Sequence, residues 1–134
     1  MAVLTAHQHR IRPSNLLLRG SIVGLTLATA AIHFSLGGTL FLFNAIGYAA
    51  LAVVMVLPGP FARGRWLVRF ALIGFTSATI VGWLAFGARF DLAYLDKALE
   101  AALIGLLLIE SWLVDGGPVA VARRAGRMAV AALR

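Results

Sequence analysis

Between Gly20 and Leu57 the chain runs for 38 positions without Asp, Glu, Lys or Arg. A bilayer core about 30 Å thick takes roughly 20 helical residues to cross, so this run is too long for one membrane span and right for two. Gly37-Gly38 near its middle is where the chain folds back, and the prolines of Leu57-Pro58-Gly59-Pro60 stop the second helix. Two further apolar stretches bounded by short charged links predict two more spans. The pattern gives helices at about 16–36, 39–57, 66–88 and 92–114, after a lead-in over 1–15 and before a basic segment over 116–134. The expected fold is all-α: an integral membrane four-helix up-down bundle with neighbours antiparallel, because the connections are short.

At 100° per residue the first span has two faces. Gly20, Gly24, Ala28 and Ala31 form a strip of small residues that suits close helix packing, and Thr26, Thr29 and His33 lie opposite as the candidate functional face. Asn44 and Tyr48 sit one turn apart on the second span and are expected to point into the bundle. The third span repeats the small strip with Gly74, Ala78 and Gly82. The fourth carries Asp96, Lys97 and Glu100 near its start and Glu110 near its end. Asp96 and Lys97 are expected at the membrane interface, whereas Glu100 is about two turns inside.

Charge orients the bundle. The chain has a net charge of +7 and 61% hydrophobic residues, well above a soluble domain's share. Four spans put Arg10, Arg12, Arg19, Arg63, Arg65, Arg69, Arg123, Arg124, Arg127 and Arg134 on one side, and only Arg89 and Lys97 on the other. The positive-inside rule then sets both termini in the cytoplasm, in a bacterial inner membrane, with the N-terminal lead-in uncleaved. After Gly116-Gly117-Pro118 an amphipathic C-terminal helix is expected to lay Arg123, Arg124, Arg127 and Arg134 on anionic lipid or on a partner. Basic residues that flank apolar spans do not make a nucleic-acid face.

The absence of cysteine excludes disulfides and thiolate chemistry. No Ser/His/Asp set, glycine-rich phosphate loop or HExxH motif is present, so nothing suggests an enzyme. His7 and His9 on the lead-in read as solvated side chains, and no metal site is expected. Depth does bring polar groups together, since His33, Asn44, Tyr48, Thr79, Trp83 and Glu100 all fall in the outer half of the bilayer. Glu100 and His33 can satisfy one another there, with Thr79 beside them as a structural polar cluster. Glu110 lies near the other edge within reach of Arg19 or Arg69. Buried ionisable groups are also functional-site candidates. A (bacterio)chlorophyll, haem or quinone contacted by His33, Asn44, Tyr48 and Trp83 is therefore an alternative, although a haem held by two histidines would find only His33 within the spans.

The pieces AIHFSLGGTLFLFNAIGYAALAV and LDKALEAALIGLLLIE resemble small, uncharacterised four-span bacterial membrane proteins with a His in the first span and an LFLxNA-type second span. The likeness implies the four-span fold and carries no activity with it. By elimination, the expected role is a non-catalytic accessory or structural subunit of a larger bacterial membrane complex, such as a respiratory or photosynthetic assembly. Its partners would be membrane lipids and other membrane subunits. A small proton-coupled transporter is the other alternative, disfavoured because polar groups thin out between Leu103 and Ile109.

Overall fold

The computed structural model describes residues 13–134; His7, His9, Arg10 and Arg12 lie outside the described residues. Among these residues all regular structure is helical: α1 Pro13–Leu36, α2 Thr39–Val56, α3 Pro60–Arg63, α4 Arg65–Phe86, α5 Asp91–Asp115 and α6 Pro118–Ala132. Three of them, α1 from Ser14, α2 and α4, are long and apolar enough to cross a membrane. α5 is as long as α1, but Asp96, Lys97, Glu100 and Glu110 keep it outside that set.

Turn residues explain the breaks. Gly37 and Gly38 take φ of 68° and 85°, a region closed to most side chains, and so let α1 reverse into α2 within two residues. Gly116, at φ 83°, ends α5 in the left-handed conformation. α3 is a single turn between the proline stop and α4, too short to leave a periodic signature.

The four long helices pack in a ring, α1 on α2, α2 on α4, α4 on α5 and α5 back on α1, with no backbone contact across either diagonal. Each buries a seam at spacings of three and four, the repeat that keeps one stripe of a helix against its neighbours. On α5 the seam is Ala93, Asp96, Glu100, Leu103, Leu107 and Glu110; on α2 it is Ala45, Tyr48, Ala52 and Met55. Ile22, Tyr48, Met55, Leu72, Leu103 and Leu107 form the apolar core.

The pattern is inverted relative to a water-soluble bundle. Thr26, Thr29, Thr76 and Glu100 are fully buried, while Leu27, Phe43, Leu84 and Leu113 are about half exposed or more. An apolar belt around polar seams is the arrangement a hydrocarbon solvent favours.

Neither small strip packs against another helix within the bundle. Gly20, Gly24 and Ala31 face outward, as does Gly74, whereas Ala78 and Gly82 are exposed on an open cavity. A side chain added at Gly20, Gly24, Gly74 or Gly82 would meet nothing within 4 Å. The close approach is made elsewhere: the Phe75 ring of α4 lies on Gly47 of α2, leaving no room for a methyl group there. At its start α6 anchors Val121 in the bundle, then leaves Met128, Val130 and Leu133 exposed.

Candidate functional site

Because helices alternate in direction, the end of α1 meets the start of α5 at the upper end of the bundle, where Gly37-Gly38 and the link 87–90 lie. The seam positions there hold His33 from α1, Tyr48 from α2, Thr76 and Thr79 from α4, and Asp96 and Glu100 from α5. Glu100, fully buried, is the hub. Its Oε1 accepts from Tyr48 Oη and from Thr79 Oγ1, each at 2.8 Å, and its Oε2 accepts from Lys97 Nζ at 2.7 Å. Lys97 also contacts Asp96 Oδ2 at 2.9 Å, so one ammonium bridges two carboxylates. Asp96 is 2% exposed, because it occupies a seam position.

His33 is in the cluster but not bonded to Glu100. Its Nδ1 lies 3.0 Å from the carbonyl of Thr29, which can only accept, so Nδ1 carries a proton. Nε2 stands 4.0 Å from Glu100 Oε1, beyond hydrogen-bond reach. The direct Glu100–His33 bond expected from depth is thus replaced by Tyr48, Thr79 and Lys97. Asp96 Oδ1 is left 3.6 Å from His33 Nδ1 with no hydrogen-bond partner.

Above the cluster is a cavity of about 430 Å³ between α2 and α4, the most sparsely touching neighbours in the ring. Phe41, Phe75, Trp83 and Phe86 line it, and His33, Asn44, Thr79, Asp96 and Lys97 are its polar groups. Three of the four residues read as ligand contacts, His33, Asn44 and Trp83, therefore line one cavity. Tyr48 lies beneath it, turned to Glu100. Trp83 is held in place by its own indole N–H, which donates to Ala88 O at 3.0 Å, and by the Arg89 guanidinium stacked 4.0 Å from its ring centroid.

His33, Asp96 and Glu100 also present donor atoms within 4.8 Å of one another, a gathering that sequence spacing does not announce. Lys97 meets these two carboxylates through Asp96 Oδ2 and Glu100 Oε2, whereas Asp96 Oδ1 and Glu100 Oε1 are the oxygens nearest His33. A tetrapyrrole fits poorly: the cavity is in the lower half of the range that holds drug-sized ligands, and Glu100 crowds the nitrogen that would serve as axial ligand.

The lower end carries a second network. Glu110, 1% exposed, is met by Arg19 at 3.2 Å and by Arg69 at 3.4 Å, so both candidate partners engage it. Arg69 is itself buried and makes a bidentate pair with Asp115, at 2.8 and 2.7 Å. Asp115 as the main partner of Arg69 is a contact that span-by-span reading misses, since the residue lies at the last position of α5. Arg65 donates to the carbonyls of Met55 and Leu57, closing the end of α2.

On α6 the four arginines divide. Arg123, Arg127 and Arg134 line a shallow groove with Gly126 and Val130, while the Arg124 guanidinium turns to the Trp66 ring, 5.3 Å from its centroid. Compared with family models, with curated proteins and with solved structures, the chain has no match in any of the three.

Proposed function

We propose that the protein is a four-span subunit of a bacterial cytoplasmic membrane, both termini inside, that holds a lipid-soluble small molecule in its outer-half cavity. The observation that carries this reading is the cavity itself: aromatic walls, a seam between helices for entry from lipid, and a base of His33, Asn44, Asp96 and Lys97. Such a combination of apolar lining and a few convergent polar groups is what small-molecule sites have in common. α5 takes part as the fourth span because its charges lie on its buried seam, where Tyr48, Thr79, Arg19 and Arg69 answer them. Among the described residues no nucleophile with an activating base is assembled at the cavity, and the proposed role is binding rather than catalysis.

The outward strips favour a second part of the reading, membership in a larger assembly. Gly20, Gly24 and Ala31 on one side and Gly74 on another leave backbone open to a neighbouring helix. The three arginines of the α6 groove suit lipid phosphates or an acidic partner.

Solvent extraction of the protein purified in native lipid nanodiscs tests the ligand reading. The expected result is one lipophilic compound released in near-equal amount to protein, and its loss from Gly82→Phe, which fills the cavity from a position with no neighbour within 4 Å. An extract from wild type indistinguishable from that of Gly82→Phe would overturn it. In mild detergent, migration as a free monomer or homodimer would count against the assembly.

A further inference from the structure

We propose that α6 is an in-plane membrane anchor whose row of arginines docks on the phosphates of anionic phospholipids. The inference is independent of the cavity. It rests on α5 as the fourth span, which brings the start of α6 to a membrane face.

All five acidic residues of the chain lie on α5. Asp91, Asp96 and Glu100 are in its upper half, and Glu110 and Asp115 are already met by Arg19 and Arg69. No carboxylate side chain of the same chain is therefore left for Arg123, Arg127 and Arg134. Arg123 and Arg127 are one turn apart on α6, Arg134 follows just past its end, and all three line one groove. At 1.5 Å per residue the row is roughly 16 Å long. A free phosphate ion is too small to meet all three guanidiniums, whereas a surface of headgroups is not.

The opposite side of α6 is apolar, with Val121, Ala125, Met128 and Ala132. Val121 is 3% exposed and Met128 is 56% exposed, so the side that packs on the bundle at its start runs on uncovered. The Arg124 guanidinium over Trp66, in the first turn of α4, ties the helix to the arginine-rich end of the spans. Tryptophan and arginine gather at that level in membrane proteins because it is the headgroup region. An amphipathic helix there turns its apolar side to acyl chains and its arginines to phosphate. A second copy of the chain is a poor counterpart, since its α6 is equally basic and its lower carboxylates are equally taken. An acidic protein docked on the arginines would leave the apolar side bare.

The test uses the full chain, which has no cysteine, so that one introduced thiol is unique. Met128→Cys on the apolar side and Ala131→Cys in the arginine groove, both at exposed positions, each carry a nitroxide label. Nanodiscs of phosphatidylcholine alone are compared with nanodiscs that also contain phosphatidylglycerol. Collision of the label with oxygen, which concentrates in lipid, is measured against collision with a neutral, water-soluble nickel chelate. On adding phosphatidylglycerol, the oxygen-to-nickel ratio at Met128→Cys is expected to rise at least threefold, and that at Ala131→Cys to stay low. High salt is expected to reverse the rise by screening, as is replacement of Arg123, Arg127 and Arg134 by Gln. A ratio at Met128→Cys that is the same in both lipids, whether high or low, would overturn the proposal. Shielding of that label from oxygen and nickel alike would show protein cover and overturn it too, with dipolar broadening between labels marking a second copy. Both faces of a nanodisc carry the same lipid, so the label reads docking on either side, and reporter fusions decide separately whether α5 crosses.

Discussion

Tyr48 reaches across the bundle to Glu100: its hydroxyl donates to Oε1 at 2.8 Å although α2 and α5 make no backbone contact. One aromatic side chain therefore ties the two helices that the ring of neighbours keeps apart. Tyr48 is fully buried, with Phe75 packed edge-on at 4.8 Å, so the hydroxyl has a fixed position. Tyr48→Phe keeps the ring and removes the bond to a buried carboxylate, which is expected to cost about 1.5–3 kcal/mol. Thermal unfolding in detergent, followed by circular dichroism, measures it. In a double-mutant cycle with Glu100→Gln, a coupling below about 0.5 kcal/mol would mean that the bond contributes nothing.

The same cycle between His33 and Glu100 has a different expected outcome. At 4.0 Å the two side chains share no hydrogen bond, and His33 is already satisfied by the Thr29 carbonyl. His33→Leu and Glu100→Leu are expected to be close to additive, and Glu100→Leu to be the more damaging because Lys97 loses its nearest carboxylate oxygen. Strong recovery of stability in the double variant would show that the pair is bonded after all.

Much of the architecture is legible along the chain because each signal is local. The charge-free run, the two glycines at the reversal and the proline stop act within a few residues, and they locate the long helices closely. The inward face of α1 is legible too, since Thr26, Thr29 and His33 repeat at spacings of three and four. What local pattern cannot supply is the rotation of one helix against another. The distance of Asp96 from the helix start says nothing of its burial, which follows from the α5 seam passing through it. The preference of Glu100 for Tyr48 over His33 is likewise a matter of angle, not depth. The small strips are ambiguous for a related reason: a strip signals that close approach is possible, without saying whether the partner belongs to the same chain.

Topology has its own test. With four spans, reporter fusions after Ala62 and at Arg134 are expected in the cytoplasm, and a fusion within the 87–90 link on the opposite side. The arginines at α3, the start of α4 and α6 hold the first two in place. If α5 does not cross, the Arg134 fusion will instead report the same side as the 87–90 link.

Arg69 is the residue on which the lower end depends. It is 3% exposed, and its guanidinium makes two parallel bonds to Asp115 while standing 3.4 Å from Glu110. Arg69→Met removes the only contact described for Asp115 and leaves Glu110 to Arg19, so two carboxylates lose compensation at once. A loss of about 3–5 kcal/mol is expected, as when one member of a buried ionic set is deleted. Arg69→Lys keeps the charge but not the planar fork, and is expected to recover only part of that loss. Arg69→Met combined with Asp115→Asn is expected to be milder than Arg69→Met alone, because the partner left behind is no longer charged. Full stability in Arg69→Lys would show that a point charge suffices and that the bidentate geometry contributes nothing.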